Sequence, residues 1–205
     1  FFYPAATVSF VYSELFDASF MDFGKLRFNY AEVGNDAPMQ RLQNVYSLGT
    51  PFGGNTLASA PNTGFNANLL PENTRSLELG FENKFFKDRL GADLTFYRSN
   101  TFNQILAVRP STASGTYFQY VNAGDIQNQG IELQLYGNIV KKGDFRWDAR
   151  LNWAMNRNKV ISLTDDLTTY QLASVQGGIT IEATVGEPYG VIKGSNFVYH
   201  EGEPI

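Results

Sequence analysis

The sequence predicts an all-β chain that forms part of a large antiparallel, up-and-down transmembrane β-barrel. Three observations lead there. Several long segments alternate apolar and polar residues with a period of two. The connections between them alternate short and long. The composition is polar on average yet rich in rings, with 17 Phe and 11 Tyr in 205 residues and a mean hydropathy of −0.24. No apolar run approaches the ~20 residues of a membrane helix.

Taken in order, residues 2–12 read as a first strand, with Ala6, Val8, Phe10 and Tyr12 on one face. Pro4 stands near its start, where a strand tolerates it. A short connection, 13–23, leads to a second strand over 24–33. There Leu26, Phe28 and Tyr30 alternate with Lys25, Arg27 and Asn29. A long loop rich in Gly, Asn, Pro and Ser follows at about 34–72. So long a loop is unusual inside a compact domain. It is expected on the outer side of an outer-membrane barrel.

The stretch Asn73–Asn100 is the clearest element. Leu77, Leu79, Phe81 and Phe85 recur at every second or fourth place in one arm, and Leu90, Ala92, Leu94 and Phe96 in the other. A two-residue turn at Lys87-Asp88 pairs Phe85 with Leu90, Phe81 with Leu94 and Leu79 with Phe96. Turn length and apolar register then agree. The arms are about a dozen residues long, against five or six in an ordinary strand. On the polar face this register sets Glu82 opposite Asp93 and Glu78 opposite Tyr97. Two facing carboxylates repel, so a basic partner or water is expected there.

Residues 101–126 read as a second long loop, with a strand extension at Gln104–Val108. Residues 127–140 and 144–156 alternate again. Ile131, Leu133, Leu135 and Ile139 lie on one face of the first; Phe145, Trp147, Ala149, Leu151, Trp153 and Met155 lie on one face of the second. A three-residue loop, Lys141–Gly143, pairs Ile139 with Phe145 and Leu135 with Ala149. The other face then pairs Gln134 with Arg150, Tyr136 with Asp148, and Asn138 with Arg146. Residues 157–187 read as loop, and 188–199 as either strand or loop. Short connections at one end and long ones at the other suit a barrel: the short turns periplasmic, the long loops near 34–72, 101–126 and 157–187 extracellular. The ends read as cut, so a piece of a longer chain is expected.

Several chemistries are set aside by what the sequence holds. Sixteen basic against 20 acidic residues give a net charge of −4, and no basic block suits nucleic acid. There is no cysteine, so disulfides and thiol catalysis are excluded. The one histidine, His200, reads as an exposed loop residue, and no catalytic triad or His-based zinc site is available without it. Glu78, Glu82 and Asp93 share a face as a glycosidase pair would, but a polar barrel wall explains them through the strand pattern. Gly49-Thr50-Pro51-Phe52-Gly53-Gly54 lacks the Lys-Ser/Thr end of a phosphate loop. Asp165-Asp166 reads as a solvated acidic loop more readily than as a calcium site. No enzyme activity, cofactor or metal is expected.

Residues 69–106 (LLPENTRSLELGFENKFFKDRLGADLTFYRSNTFNQIL) resemble the barrel region of SusC-like TonB-dependent receptors. So do VNAGDIQNQGIELQL at 121–135, FRWDARLNWAMNRNKVISL at 145–163, GEPYGVIKGSNF at 186–197, and the opening YPAATVSFVYSE with FGKLRFNYAEVGND. The resemblance covers nearly the whole chain, in order. It implies a bacterial outer-membrane barrel of about 22 strands with an internal plug, of which about six or seven strands are present here. It also implies import of oligosaccharides or oligopeptides, with a SusD-like surface lipoprotein as lid and TonB as the energy source. The plug and the energy-coupling box have no counterpart in these residues. Six strands lie below the eight that close the smallest such barrel.

On this reading the lumen- or plug-facing residues are Glu78, Glu82, Asp93, Glu132, Gln134, Arg146, Asp148 and Arg150. The Glu82–Asp93 pair would meet a basic group or water from the plug. The best ligand candidates are the loop aromatics Tyr46, Phe52, Phe65, Tyr117, Phe118 and Tyr120, whose rings can stack on sugars or hold peptide side chains. Packing of the loops or of the barrel rim accounts for them more simply. Trp147 and Trp153 face the lipid bilayer or its interface. Two other readings stay open: a soluble β-sandwich carbohydrate-binding module, and a barrel that anchors a surface or secretion assembly.

Overall fold

A computed structural model of the chain describes residues 2–15, 18–164, 167–196, 199–200 and 203–204. Asp165-Asp166 lie outside the described residues. The strands in order are β1 (Ala5–Val11), β2 (Met21–Asn35), β3 (Ser47–Leu48), β4 (Ala58–Ser59), β5 (Thr63–Gly64), β6 (Glu72–Phe85), β7 (Leu90–Phe102) and β8 (Ile105–Val108). They continue as β9 (Phe118–Asn122), β10 (Asp125–Lys142), β11 (Phe145–Ser162), β12 (Thr169–Val175), β13 (Ile179–Thr184), β14 (Tyr189–Lys193), β15 (Tyr199–His200) and β16 (Glu203–Pro204). Three short 3₁₀ turns complete the described secondary structure, and among the described residues there is no α-helix.

Six long strands form one sheet in the order β1-β2-β6-β7-β10-β11. Skipping the small loop strands, that is chain order, as in an up-and-down wall. The chain divides into two compact units: residues 1–34, 73–101 and 127–158, and the remainder.

In the first unit the predicted alternation becomes two faces. β1 pairs β2 with Val8 opposite Phe28 and Phe10 opposite Leu26, while Ser9 faces Arg27. Tyr12 leaves the predicted strand: it opens a 3₁₀ turn, Tyr12–Leu15, with its ring against Gly24 and its hydroxyl bonded to Asn83. The β6–β7 register is as read from the sequence, but the connection is longer than Lys87-Asp88: β6 ends at Phe85 and β7 begins at Leu90, and Phe86, Lys87 and Asp88 all have left-handed φ, at 58°, 57° and 59°. The register follows: Thr74 bonds Thr101 at 2.8 Å and Ser76 bonds Ser99 at 3.3 Å.

The next hairpin differs. β10 runs on to Lys142 and β11 begins at Phe145, so the connection is Gly143-Asp144, with Gly143 at φ 58°. Gln134 bonds Asn152 and Asn138 bonds Asp148, instead of the Arg150 and Arg146 expected. A shift of two residues leaves every side chain on its face, so alternation alone does not detect it.

The apolar face is uncovered. Phe145, Trp147, Leu151 and Trp153 are 62, 54, 57 and 47% exposed. A β-sandwich would bury such a face against a second sheet; in this sheet these side chains stay exposed.

The second unit is less irregular than its composition suggests. β8 pairs β9, and β5 joins β9 in parallel, which ties the two predicted loops together. Residues 157–187, expected as loop, hold the end of β11 and the strands β12 and β13; β14 completes a three-stranded sheet, so part of 188–199 is strand. His200 sits in a two-residue strand opposite Glu203.

Candidate functional site: a charged sheet face and a loop cavity

The polar face of the first unit is built by strand periodicity. β2 contributes Lys25, Arg27 and Asn29 and β6 contributes Glu78, Gly80 and Glu82. β7 adds Asp93, Thr95 and Tyr97. Lys25 Nζ lies 2.6 Å from a Glu82 carboxylate oxygen, and Arg27 Nη1 lies 3.6 Å from the same one. Arg27 Nη2 reaches both oxygens of Asp93 at 2.7 and 2.8 Å. Asn29 donates to Glu78 at 3.2 Å. The two facing carboxylates therefore do have basic partners. They come from β2 of this same sheet, a source that the sequence analysis did not name.

Further along the face, Tyr97 donates to Asn156 at 3.1 Å and Arg150 lies 6.0 Å from the Tyr136 ring centroid. Arg146 Nε is 2.7 Å from Asp148, which also accepts from Asn138 at 3.0 Å. A concavity of about 530 Å³ opens on this face, lined by Arg27, Asn29, Glu78, Thr95, Tyr97 and Glu132. Every residue read as lumen-facing lies on this one face. Lys25, Arg27, Tyr97 and Tyr136 also shape it; the β2 alternation carried the signal for the first two. Such a surface presents donors and acceptors to water or a polar partner. No cluster that could hold a metal occurs among the described residues.

In the second unit a small core of Ala37, Leu69 and Ile105 packs against Leu42 and Tyr120. Tyr120 also takes the Arg41 guanidinium over its ring at 4.9 Å, and its ring lies 6.4 Å from that of Phe65. Asn122 clamps the loops: it accepts from the Leu70 amide at 2.7 Å and donates to the carbonyls of Leu70 and Asn103. Of the six loop aromatics, Tyr120 and Phe65 thus hold the unit together. Tyr46, Phe52 and Tyr117 are exposed. Phe118 lines a cavity of about 840 Å³ with Thr63, Arg109, Leu167, Tyr170 and Leu172. Arg109 stands 5.3 Å from the Phe118 ring centroid, and Tyr170 donates to the Ala107 carbonyl at 3.1 Å. Sequence reasoning named neither: Arg109 follows β8 within the predicted loop 101–126, and β12, which carries Tyr170, was read as loop. The nearby sheet carries an ion pair, Lys193–Glu182 at 2.9 Å. The hydrogen bonds from Lys193 and Thr180 lower the Glu182 carboxyl below its ordinary value, and the bond to Glu182 raises Lys193.

Residues 1–192 match the model of the family described as TonB dependent receptor-like, beta-barrel. The chain is 29% identical over 212 residues to TonB-dependent receptor P26 of Formosa agariphila, covering 96% of this chain and 21% of that protein. It is 26% identical over 144 residues to TonB-dependent receptor SusC of Bacteroides thetaiotaomicron, covering 67% of this chain and 14% of that one. The chain thus spans about a fifth or less of the length of these relatives. Among solved structures, the RagAB peptide transporter superposes with a TM-score of 0.79 at 23% identity, over 91% of this chain and 20% of that one. That likeness speaks for the fold.

Proposed function

The chain belongs to the TonB dependent receptor-like β-barrel family, and from that premise we propose that it forms wall strands and outer loops of a bacterial outer-membrane importer. The single observation that carries the reading is the six-stranded sheet with one uncovered apolar face and one continuous ion-paired polar face. The first suits lipid and the second a plugged, wet lumen. The long connections are then extracellular, and the 840 Å³ loop cavity with Phe118, Tyr170 and Arg109 is the ligand-contacting region. Tyr46, Phe52 and Tyr117 are exposed for further contact. The mechanism is binding and gated passage without covalent chemistry, energised through TonB, with a SusD-like lipoprotein as lid. The substrate is an oligosaccharide or an oligopeptide. The relatives support this reading: two are TonB-dependent receptors by name, and the structural neighbour is a peptide transporter.

The test is uptake by cells carrying the full-length receptor. Labelled oligosaccharides and oligopeptides are supplied to cells with the receptor, without it, and without TonB. Accumulation that needs both receptor and TonB is expected, with Phe118→Ala and Arg109→Ala raising the half-saturating concentration. Accumulation that is equal in all three strains sinks the importer reading. Specific surface binding with no uptake would favour the anchor role instead.

A further inference from the structure

The 840 Å³ loop cavity lies between two open strand edges. β8 is an outer strand of the β5-β9-β8 sheet, and β12 is an outer strand of the β12-β13-β14 sheet. Ala107 and Val108 of β8 line the cavity, and so do residues 169–174 of β12. Among the described residues no strand pairs with either on its open side. The two are linked by a side chain instead: the Tyr170 hydroxyl donates to the Ala107 carbonyl at 3.1 Å. A whole tyrosine side chain stands where a backbone ladder would, so the edges stay apart.

The backbone of β8 is turned toward this gap. The Ile105 N–H donates to the Glu72 carboxylate at 3.0 Å, and the Ala107 carbonyl accepts from Tyr170. Both groups point away from β9. Across the ladder Ala107 faces Tyr120, whose own carbonyl accepts from Asn66. Ala107 and Tyr120 are therefore a non-hydrogen-bonded pair, and the Ala107 N–H points into the cavity beside its carbonyl. Glu72 covers the edge at Ile105 and leaves it open from Ala107 onward. Natural edges are commonly blunted by lysine, proline or another charge. The four residues of β8 and the seven of β12 include none. Arg109, just past β8, leans on the Phe118 ring. The far edges of the same sheets differ: β5 has two residues, and β14 ends at Lys193. A bulge between Gln171 and Ala173 interrupts β12, so β8 is the more regular template.

We propose that the loop cavity takes an extended peptide, which adds as a strand to the β8 edge at Ala107 and faces β12 across the gap. The proposal deepens the ligand-contacting reading of this cavity and rests on it. A peptide repeats a donor and an acceptor on one side at every second residue, as a strand edge requires. A sugar ring presents hydroxyls without that repeat. Pairing through the backbone accepts many sequences, because side chains stand off the ladder. Leu167, Leu172 and Phe118 line the cavity where apolar ones would rest.

The experiment is amide hydrogen exchange of the full-length receptor with a randomised hexapeptide pool, with the same pool N-methylated at every amide, or with maltohexaose. The parent pool should slow exchange at Ala107, while the Leu106 and Val108 amides, which face β9, stay unchanged. The N-methylated pool lacks backbone donors and should bind about ten-fold more weakly, the size of one or two lost hydrogen bonds. Ala107→Pro removes the outward N–H at an edge position, where proline leaves the β8–β9 ladder intact. It should weaken binding of the parent pool by a similar factor. The two pools on wild-type protein decide the matter if that variant fails to assemble. No protection of Ala107 by the parent pool, equal binding of both pools, or protection by maltohexaose alone overturns strand pairing. Uptake of the same probes into cells with and without TonB separates two kinds of failure. If uptake of either probe needs TonB, the importer reading stands and strand pairing alone falls. If neither probe enters in a TonB-dependent way and neither protects the cavity, both fall.

Discussion

Arg27 Nη2 lies 2.7 and 2.8 Å from the two carboxylate oxygens of Asp93, although β6 runs between their strands. It reaches across because the residue beneath it is Gly80, buried under the guanidinium. A Cβ on Gly80 would stand 2.9 Å from Arg27 Nε. One glycine therefore lets a cation from β2 neutralise an acid on β7, and Glu82 shares the same charge at 3.6 Å.

Gly80→Val should break that bridge. The branched side chain would push Arg27 off Asp93 and leave two carboxylates facing each other. A loss of about 1.5–3 kcal/mol is expected at most, the range for hydrogen bonds to charged groups. Denaturant unfolding of the full receptor checks this, alongside Arg27→Met and the double variant. Gly80→Val should add little to Arg27→Met, because both remove the same contact. Fully additive losses would mean the glycine acts elsewhere.

How far this was legible in the sequence follows from periodicity. Alternation assigned faces to β2, β6, β7, β10 and β11, and the turn at Lys87-Asp88 set the β6–β7 register. It also displayed Lys25 and Arg27. The up-and-down reading already set β2 beside β6; the register between them, across the long loop, is what a local pattern does not supply. The Gly143-Asp144 turn was misplaced because a two-residue slip conserves every face. The loop strands were missed for a related reason. β3, β4 and β5 are two residues each, and β9 is held by distant partners such as Asn62, Asn66 and Leu70.

Tyr120→Ala should loosen the second unit. The ring packs on the Ala37–Leu69–Ile105 core, on Arg41 and beside Phe65, so truncation leaves a cavity. Large-to-small changes of this kind cost about 3–5 kcal/mol when fully buried, and less at this half-buried site. The measurement is limited proteolysis of the full receptor. Cleavage within 34–72 and 101–126 should accelerate, while the long strands stay protected. An unchanged digest would show that Tyr120 is not the clasp.

The Glu182–Lys193 pair gives the β12–β14 sheet a pH window. Glu182 is lowered in the folded chain, so its contribution is complete above the ordinary glutamate value, about 4.3. It is lost as pH falls through the lower folded value. Lys193 is raised, so its contribution is complete below the ordinary lysine value, about 10.4. It is lost as pH rises through the higher folded value. Amide exchange at Ile181 and Ile192, which pair across β13 and β14, should therefore show steady protection between those limits after correction for intrinsic rates. Protection should fall below the acid limit. Glu182→Gln should flatten that acid limb; an acid limb that persists in the variant would assign it to another group.

The two faces of β11 make opposite demands on a substituted charge. Leu151 is exposed on the apolar face between Trp147 and Trp153, while Arg150 lies on the polar face near Tyr136. If the apolar face contacts lipid, Leu151→Arg should cost about 2–4 kcal/mol near the bilayer midplane. Leu151→Phe should be nearly neutral, since lipid has no fixed packing partner to displace. Arg150→Leu, an equal and opposite change of polarity one residue away, removes a cation–π contact worth about 0.5–1 kcal/mol. Folding free energies of the full receptor in lipid vesicles give the comparison. A large penalty at Leu151 with a small one at Arg150 is the expected result. Equal penalties at both positions would mean that neither face meets hydrocarbon.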